Sequence, residues 1–251
     1  MPSISGQSIL VLGGSSGIGA AVAKLALEQG VHVFIASSNS TKVAKAVETL
    51  QNAAPNAKVS GFTINLDTPR IEEDLVKLLT EITSNGTKLD HIVYTANSLN
   101  LKPLDQVTAD YLSNSGQFGL VVPMLLAKLA SRFLNPSYKS SLIFTSGRVA
   151  EKPVKGYTMG AAFGALLFGI TRSLALDLAP IRVNCVSPGA TDTEMWGNDE
   201  QRAQRLQMYT KIALLGKAGT AEEVGEAYIY LMRDFNNTGS TVSTSGGALI
   251  Q

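Results

Sequence analysis

The sequence predicts a doubly wound α/β fold, in which a parallel sheet of about seven strands is covered by helices on both faces. Short runs rich in β-branched residues alternate along the chain with longer segments of helical periodicity, a pattern typical of parallel sheets. A glycine-rich turn follows the first apolar run directly. The 251 residues, 45% of them hydrophobic, suffice to bury the core of one large domain.

The predicted elements follow one another in a regular order. Seven short runs are predicted as strands, namely "SILVL", "VHVFIA", "KVSGFTI", "HIVYT", "SLIFTS", "IRVNCVS" and "STVSTSG". Helical periodicity predicts helices over residues 17–29, 40–53, 69–84, 156–178 and 220–233. No linker-like change of composition and no internal repeat interrupts the series, so residues 1–251 are predicted to form a single domain.

Charge and composition narrow the classes of partner. The 21 Lys and Arg residues are balanced by 20 Asp and Glu, so we expect a small-molecule substrate and neither nucleic acid nor a membrane surface as a partner. Cys185 is the single cysteine, and the first residues lack the basic and apolar regions of a secretory signal, which favours a cytoplasmic location. Pro123 and Lys128 interrupt the apolar run 119–130, so no transmembrane anchor is predicted. No metal site is predicted either.

The segment "GGSSGIG" at the start of the first predicted helix indicates a nucleotide site. Gly13, Gly17 and Gly19 allow a tight turn and a close approach to a pyrophosphate, which the helix N-terminus then stabilises. The same glycines also suit an ordinary strand-to-helix turn, but the strand before them and the helix after them favour a nucleotide. The predicted contact residues of this turn are Gly13, Ser15, Ser16, Gly17, Ile18 and Gly19.

Over essentially its whole length, the chain resembles the short-chain dehydrogenase/reductase family, whose members have a Rossmann fold. The resemblance rests on "GGSSGIG", "LALDLAPIRVNCVSPGATDTEM" and "TGSTVSTSGG", which follow the order and spacing of the family. It implies a nicotinamide cofactor. It also implies a homodimer or homotetramer, because family members bury the helix that corresponds to residues 156–178 against a symmetry-related copy.

In that family, the residues after the second strand select the cofactor. An acidic residue there would bind the ribose of NAD, whereas this chain has Ser37, Ser38 and Asn39, with Lys42 one turn later. These groups can donate to a 2′-phosphate, so NADP(H) is predicted, although they would equally suit a solvated polar loop. The resemblance also implies an adenine site at Asn65 and Leu66 and a nicotinamide site at Pro188, Gly189, Thr191 and Thr193.

The chain departs from the family where the catalytic Tyr, Lys and Ser belong. Counting back from residues 170–175 places the Lys at Gly164, the Tyr at Gly160 and the Ser at Gly147. "YTAN" replaces the usual "NNAG", and Gln117 is the nearest polar candidate for the family's Asn. Close helix packing through small residues is an alternative reason for the glycines. In either case, ordinary ketone reduction lacks its acid.

Three other polar residues are candidates for the catalytic site. Ser146 and Arg148 follow the fifth predicted strand, and ligands of open α/β sheets bind at the carboxyl ends of strands. Arg148 could orient a carbonyl or carboxylate, or it could be a solvated loop residue. Tyr157 is the third candidate, mainly as a residue that lines the substrate, because its fourth neighbour Ala161 provides no cation to lower its pKa.

Three functions are compatible with these residues. The first is NADPH-dependent hydride transfer to a bulky, already activated acceptor such as an iminium, which needs no proton donor; fungal alkaloid reductases that also promote a Diels–Alder closure are loosely similar. The second is a non-redox cyclase or isomerase that uses the same pocket to hold a reactive substrate. The third is a cofactor-binding pseudoenzyme. Met195 and Trp196, on a predicted substrate lid, argue against the third unless they form a core patch.

Overall fold

The centre of the molecule is a parallel sheet of seven strands in the order β3-β2-β1-β4-β5-β6-β9. The computed structural model describes residues 1–55, 57–98 and 102–251. The strands of this sheet are β1 (Ser8–Leu12), β2 (His32–Ser37), β3 (Val59–Thr63), β4 (His91–Tyr94), β5 (Ser141–Thr145), β6 (Arg182–Pro188) and β9 (Thr241–Thr244). A separate short sheet pairs β7 (Thr191–Asp192) with β8 (Gly219–Thr220).

Helices connect these strands. They are α1 (Gly17–Glu28), α2 (Ser40–Ala53), α3 (Ile71–Ile82), α4 (Ala109–Ser115), α5 (Val122–Phe133), α6 (Thr158–Asp177), α7 (Asp199–Ile212) and α8 (Ala221–Arg233). Short 3-10 turns lie at Leu104–Gln106, Arg148–Ala150 and Glu194–Trp196, and a π-helical turn at Gln117–Val121 precedes α5.

Two apolar cores lie on the two faces of the sheet. On one face, side chains of α3, α5 and α6, including Leu75, Leu126 and Leu174, pack against the sheet. On the other face, α1 and α8 contribute Val22 and Tyr228 to the second core. The helices therefore cover both faces, and the predicted doubly wound α/β fold of about seven strands is confirmed.

The order of the strands changes direction between β1 and β4. Leu12 at the end of β1 lies opposite Ala36 of β2 on one side and Tyr94 of β4 on the other. In an open α/β sheet, a crevice forms at such a point, outside the carboxyl ends of the strands. The candidate site is therefore sought among the loops that follow β1, β4, β5 and β6.

The helices predicted from the sequence did not include α4, α5 or α7, and the last two were missed for different reasons. Pro123 was interpreted as an interruption, but it lies in the first turn of α5, where a missing N–H costs no helical hydrogen bond. Helix α7 buries none of its residues, so it lacks the apolar stripe from which a helix is predicted.

Helix α6 is unusually apolar. Within the described residues, its 20 residues and mean hydropathy of 1.5 are sufficient, by length and composition, to cross a membrane. However, α6 is the crossover between the adjacent parallel strands β5 and β6, and Thr171 and Leu174 are buried on the sheet side. Packing of this crossover helix on the sheet accounts for the apolar residues on its buried side. Because 28% of its most apolar window is buried, much of its apolar surface is exposed in the single chain.

Candidate functional site

The glycine-rich turn lies at the carboxyl end of β1 and leads into α1. Gly13 has φ +92°, and a Cβ there would lie 2.7 Å from the backbone nitrogen of Ala96. A Cβ on Gly19 would lie 2.3 Å from the carbonyl oxygen of Gly13. Ser16 is the N-cap of α1, and its side chain forms no capping hydrogen bond. Ser15, Gly17 and Ile18 complete the turn, which leads into the N-terminus of α1, the end of a helix that favours an anion.

Thr95, which the sequence analysis did not single out, supports this turn from β4. Its Oγ1 donates a hydrogen bond of 3.0 Å to the carbonyl oxygen of Leu12. The same atom lies 2.7 Å and 2.6 Å from where Cβ atoms on Gly13 and Gly19 would stand. The close packing of Thr95 therefore requires glycine at both positions. The "YTAN" segment includes Thr95, but its contact with Leu12 joins residues 83 positions apart and has no local signal in the sequence.

The predicted 2′-phosphate residues lie at the end of β2 and the start of α2. Ser37 is half-buried, whereas Ser38 and Lys42 are exposed. The Oδ1 of Asn39 accepts a hydrogen bond of 2.9 Å from the backbone N–H of Lys42, so this side chain caps α2. A phosphate at this position would have the hydroxyls of both serines and the Nδ2 of Asn39 as donors, because the cap engages the Oδ1 of Asn39.

The predicted adenine residues follow β3. Asn65 bonds within its own turn, accepting from the N–H of Asp67 at 3.0 Å. Leu66 is buried, and its carbonyl oxygen accepts a hydrogen bond of 2.7 Å from Nε2 of Gln117. Gln117 therefore joins the π-helical turn to the adenine loop, and this role differs from that of the family's Asn, for which it was the nearest candidate.

The predicted nicotinamide residues follow β6. A Cβ on Gly189 would lie 2.6 Å from the Cα of Ser245, so the neighbouring backbone leaves room for glycine alone. Thr191 Oγ1 donates to the carbonyl oxygen of Gly189 at 3.2 Å, which holds the turn after Pro188. Thr193 reaches the glycine-rich turn: its Cγ2 would lie 3.2 Å from a Cβ on Gly17. The structure thus brings the predicted nicotinamide loop and the predicted pyrophosphate turn together.

Glu194 is a second residue that the sequence analysis missed. Its Oε2 accepts a hydrogen bond of 3.1 Å from the backbone N–H of Gly17, the first residue of α1. A carboxylate at a helix N-terminus is stabilised by the helix dipole. The sequence places Glu194 directly after Thr193, but it does not indicate the contact of Glu194 with Gly17, which lies 177 residues earlier.

The position where the family carries its Lys has no room for a side chain. A Cβ on Gly164 would lie 2.8 Å from the Cβ of Ala150 and 3.1 Å from Oγ of Ser146. At Gly147, by contrast, a Cβ would meet one atom within 4 Å, the carbonyl oxygen of Pro188 at 3.9 Å. There is therefore space for a side chain at Gly147 but not at Gly164, where the turn Arg148–Ala150 fills it.

The three candidate catalytic residues differ in their surroundings. Ser146 Oγ donates to the carbonyl oxygen of Gly164 at 2.8 Å, so its proton is engaged with α6. Arg148 is half-buried, and its side chain forms no hydrogen bond or ion pair with any described residue. Tyr157 is the N-cap of α6 and is 36% exposed. Arg148 is therefore the candidate whose polar group is most available to a ligand.

Glu151 and Lys152 hold the loop that carries Arg148 in place. Oε1 of Glu151 accepts hydrogen bonds from Ser187 Oγ at 2.5 Å and from Ser243 Oγ at 2.9 Å. Lys152 donates to the carbonyl oxygens of Ala248 and Gln251. These bonds tie the loop after β5 to β6, β9 and the last residues of the chain, which holds the backbone at Arg148 in place.

The predicted lid residues Met195 and Trp196 lie in different environments. Trp196 is buried, and its ring centroid is 5.3 Å from that of Tyr209 on α7. Met195 is 53% exposed. Trp196 thus packs the turn Glu194–Trp196 against α7, while the exposed side chain of Met195 presents an apolar surface to solvent. Among the residues that the structure describes, no group of three or more His, Cys, Asp or Glu side chains could hold a metal ion.

Comparisons with known proteins agree with this architecture. A family model described as an SDR-like Rossmann domain matches residues 3–251. The short-chain dehydrogenase/reductase ATR9 of Stachybotrys chlorohalonatus is 47% identical over 253 residues, covering 100% of both chains. The structure of the MalC reductase/Diels-Alderase from Malbranchea aurantiaca has a TM-score of 0.93 at 36% identity, covering 98% of this chain and 97% of that chain. A short-chain dehydrogenase from Burkholderia cenocepacia in complex with NADP has a TM-score of 0.84 at 25% identity, covering 98% and 99%.

Proposed function

Because the chain belongs to the short-chain dehydrogenase/reductase family, we propose that it is an NADP(H)-dependent reductase that transfers hydride to a bulky, already activated secondary-metabolite substrate. The observation that carries the proposal is the filled space at Gly164, where Ala150 stands 2.8 Å from the position of a Cβ. A reductase whose fold excludes the Lys and whose sequence lacks the Tyr must act without that acid.

The residues present fit a dinucleotide. Gly13, Gly17 and Gly19 form a turn into which side chains would not fit, and the amides at the start of α1 are oriented to bind a pyrophosphate. Ser37 and Ser38 replace the carboxylate that would repel a 2′-phosphate, and the relative from Burkholderia cenocepacia is in complex with NADP. When bound, the cofactor would supply or accept the hydride.

The missing acid restricts the chemistry of the substrate. A ketone that accepts hydride becomes an alkoxide and needs a proton, whereas an iminium carbon that accepts hydride becomes a neutral amine and needs none. Gly160 and Gly164 provide no proton donor, so we assign the cationic or strongly polarised acceptor to this site. Fungal relatives named as short-chain dehydrogenases/reductases, including malC, support a substrate from secondary metabolism.

Arg148 is the proposed orienting group for the substrate. Its guanidinium lies at the carboxyl end of β5 without a described partner, and it can donate two parallel hydrogen bonds to a carbonyl or carboxylate. Tyr157 lines the same entrance at the start of α6, and Ser146 holds α6 in position. The open space at Gly147 suits a polycyclic substrate better than a small ketone.

A non-redox cyclase is the second candidate function. The structural relative from Malbranchea aurantiaca is described as both a reductase and a Diels-Alderase. In this alternative, the rate would come from holding a reactive substrate in one geometry, with the cofactor as a wall of the pocket.

One experiment separates these functions. Purified protein is incubated with NADPH and polycyclic iminium compounds, and nicotinamide absorbance is followed alongside product mass. The reductase is supported if the nicotinamide absorbance falls and the product is one mass unit heavier than the iminium cation, which has gained a hydride. The cyclase is supported if a product forms while the absorbance stays constant. Arg148→Ala should slow either reaction, whereas Arg132→Ala, at an exposed arginine in the last turn of α5, serves as the matched control. If NADPH does not bind and no product forms, the proposed function is wrong.

We further propose a cytoplasmic homodimer or homotetramer. Met124 on α5, which is 42% exposed, lines a groove between α5 and α6, and Leu176 on α6 is 81% exposed. A second copy of the chain would bury this surface.

A further inference from the structure

The carboxylate of Glu194 lies where the first amide of α1 points. The N–H of Gly17 donates to Oε2 of Glu194 at 3.1 Å, and Thr193 packs directly against Gly17. A helix N-terminus favours an anion, and the glycine-rich turn directs this one at the crevice. A side chain from the loop after β6 therefore contacts the same N–H that a pyrophosphate would use.

Glu194 begins the turn Glu194–Trp196, which joins β7 to α7. Gly197, directly after this turn, has φ +99°, a conformation that favours glycine, and a Cβ there would lie 1.9 Å from Oε1 of Gln201. None of the residues of α7 is buried. Trp196 is the buried residue of the segment from 194 to 212, and it packs on Tyr209 of the same segment, so α7 itself adds little to the packing and a glycine stands at the point where the segment would bend.

A cation lies near Glu194 on the same segment. Arg202 Nε donates to Oδ1 of Asp192 at 3.0 Å, and this bond, together with the negative charges of Asp192 and Glu194, raises the pKa of the guanidinium. Glu194 therefore lies within electrostatic reach of Arg202. If the Glu194 carboxylate moved away from the N–H of Gly17, the positive charge of Arg202 would still stabilise that carboxylate.

We propose that Glu194 competes with the cofactor's pyrophosphate for the N-terminus of α1, so that cofactor binding releases the turn Glu194–Trp196 and with it α7. The inference rests on the proposed cofactor. Two anions on one N–H repel each other, so the carboxylate must leave when the pyrophosphate arrives. Glu194 then lowers cofactor affinity and couples cofactor binding to the position of the segment that carries Met195.

The affinity is tested by calorimetric titration of NADP+ into wild type, Glu194→Gln and Glu200→Gln. Glutamine keeps the shape of the side chain but removes its charge, so Glu194→Gln should bind NADP+ about twofold to fivefold more tightly, the range expected for one charge at a helix terminus. Glu200 is an exposed acid at the start of α7 without a described hydrogen bond, and its variant should bind as wild type does. Equal or weaker binding by Glu194→Gln would overturn the inference.

The movement has its own readout, because Trp196 is the single tryptophan of the chain and stands two residues after Glu194. NADP+ does not absorb tryptophan emission, so a change in that emission reports the surroundings of Trp196. Titration with NADP+ should change the emission of wild type, and adenosine 2′,5′-bisphosphate, which lacks the pyrophosphate, should not. Binding of NADP+ with unchanged emission would refute the release of the turn. Failure of NADP+ to bind both wild type and Glu194→Gln would instead refute the proposed function, and this inference with it.

Discussion

Ser146 donates its hydroxyl hydrogen bond to the backbone carbonyl of Gly164, at 2.8 Å, across the gap between β5 and α6. The contact is possible because Gly164 has no side chain: a Cβ there would lie 3.1 Å from the same hydroxyl oxygen and 2.8 Å from Ala150. Ser146 and Ala150 thus occupy the space into which a side chain at position 164 would extend.

Gly164→Ala should destabilise the protein by about 1 kcal/mol, because overpacking costs about 1–3 kcal/mol and the gain in helix propensity returns about 1. Urea unfolding measures the change. The matched control is the double variant Ala150→Gly/Gly164→Ala, which removes the clashing methyl and should recover the loss relative to Ala150→Gly alone. A single variant as stable as wild type would contradict the packing described here.

The fold could be predicted from the sequence because apolar periodicity and a glycine-rich turn are local signals. The strands SILVL and IRVNCVS, for example, are buried runs that can belong to few other structures. The register count that placed Gly160 and Gly164 also relied on a local pattern. Such patterns identify which side chains are missing.

What replaces the missing side chains could not be predicted, because it depends on contacts between distant segments. Glu194 lies 177 residues from Gly17, and Ser146 lies 18 residues from Gly164. Asn39 shows a related case: it is predicted as a phosphate ligand, and its Oδ1 also caps α2. A polar residue near a helix start serves the helix or a ligand, and the sequence alone does not distinguish the two.

Ser38→Asp should weaken NADP(H) binding about tenfold or more and leave NAD(H) binding largely unchanged, because the new carboxylate would face a 2′-phosphate. Calorimetric titration with both cofactors measures the two affinities. Ser84→Asp is the matched control, since Ser84 is exposed beyond the C-terminus of α3, in the loop that leads to the amino end of β4. Equal weakening of both cofactors by Ser38→Asp would mean that this loop does not select NADP(H).

His91 should make stability fall below neutral pH. It is fully buried, with Nδ1 2.9 Å from Ser141 Oγ and Nε2 2.8 Å from Gln7 Oε1, and burial, aided by the positive charge of Arg182, lowers its pKa from 6.5 to about 3. The unfolded chain therefore binds the proton more readily than the folded protein between pH 6.5 and 3. The contribution is complete above pH 6.5 and is lost as the pH falls, by about 2 kcal/mol between pH 6.5 and 5.

Urea unfolding at several pH values measures this loss. His91→Gln should flatten the dependence between pH 6.5 and 5, even if the variant is less stable throughout. His32→Gln is the control, because His32 is half-buried and its pKa is lowered by burial and by Lys58, so its removal should change the slope less. An unchanged slope in His91→Gln would show that another group dominates the acid sensitivity.

The exposed face of α6 should be an interface between copies of the chain. Ala165 and Gly169 line the groove between α5 and α6, beside the exposed Met124, so two copies could approach closely through small residues with apolar edges. A stable dimer needs about 800 Å² from each partner, which a 20-residue helix and its neighbour can supply. Ala165→Arg places a charge in the centre of this face, and light scattering at micromolar concentration should show the mass of wild type falling to that of the 26.5 kDa monomer. Leu104→Arg, at a residue that is 74% exposed outside the groove, should keep the wild-type mass. A monomeric wild type, or an Ala165→Arg variant of unchanged mass, would show that this face does not hold the assembly together.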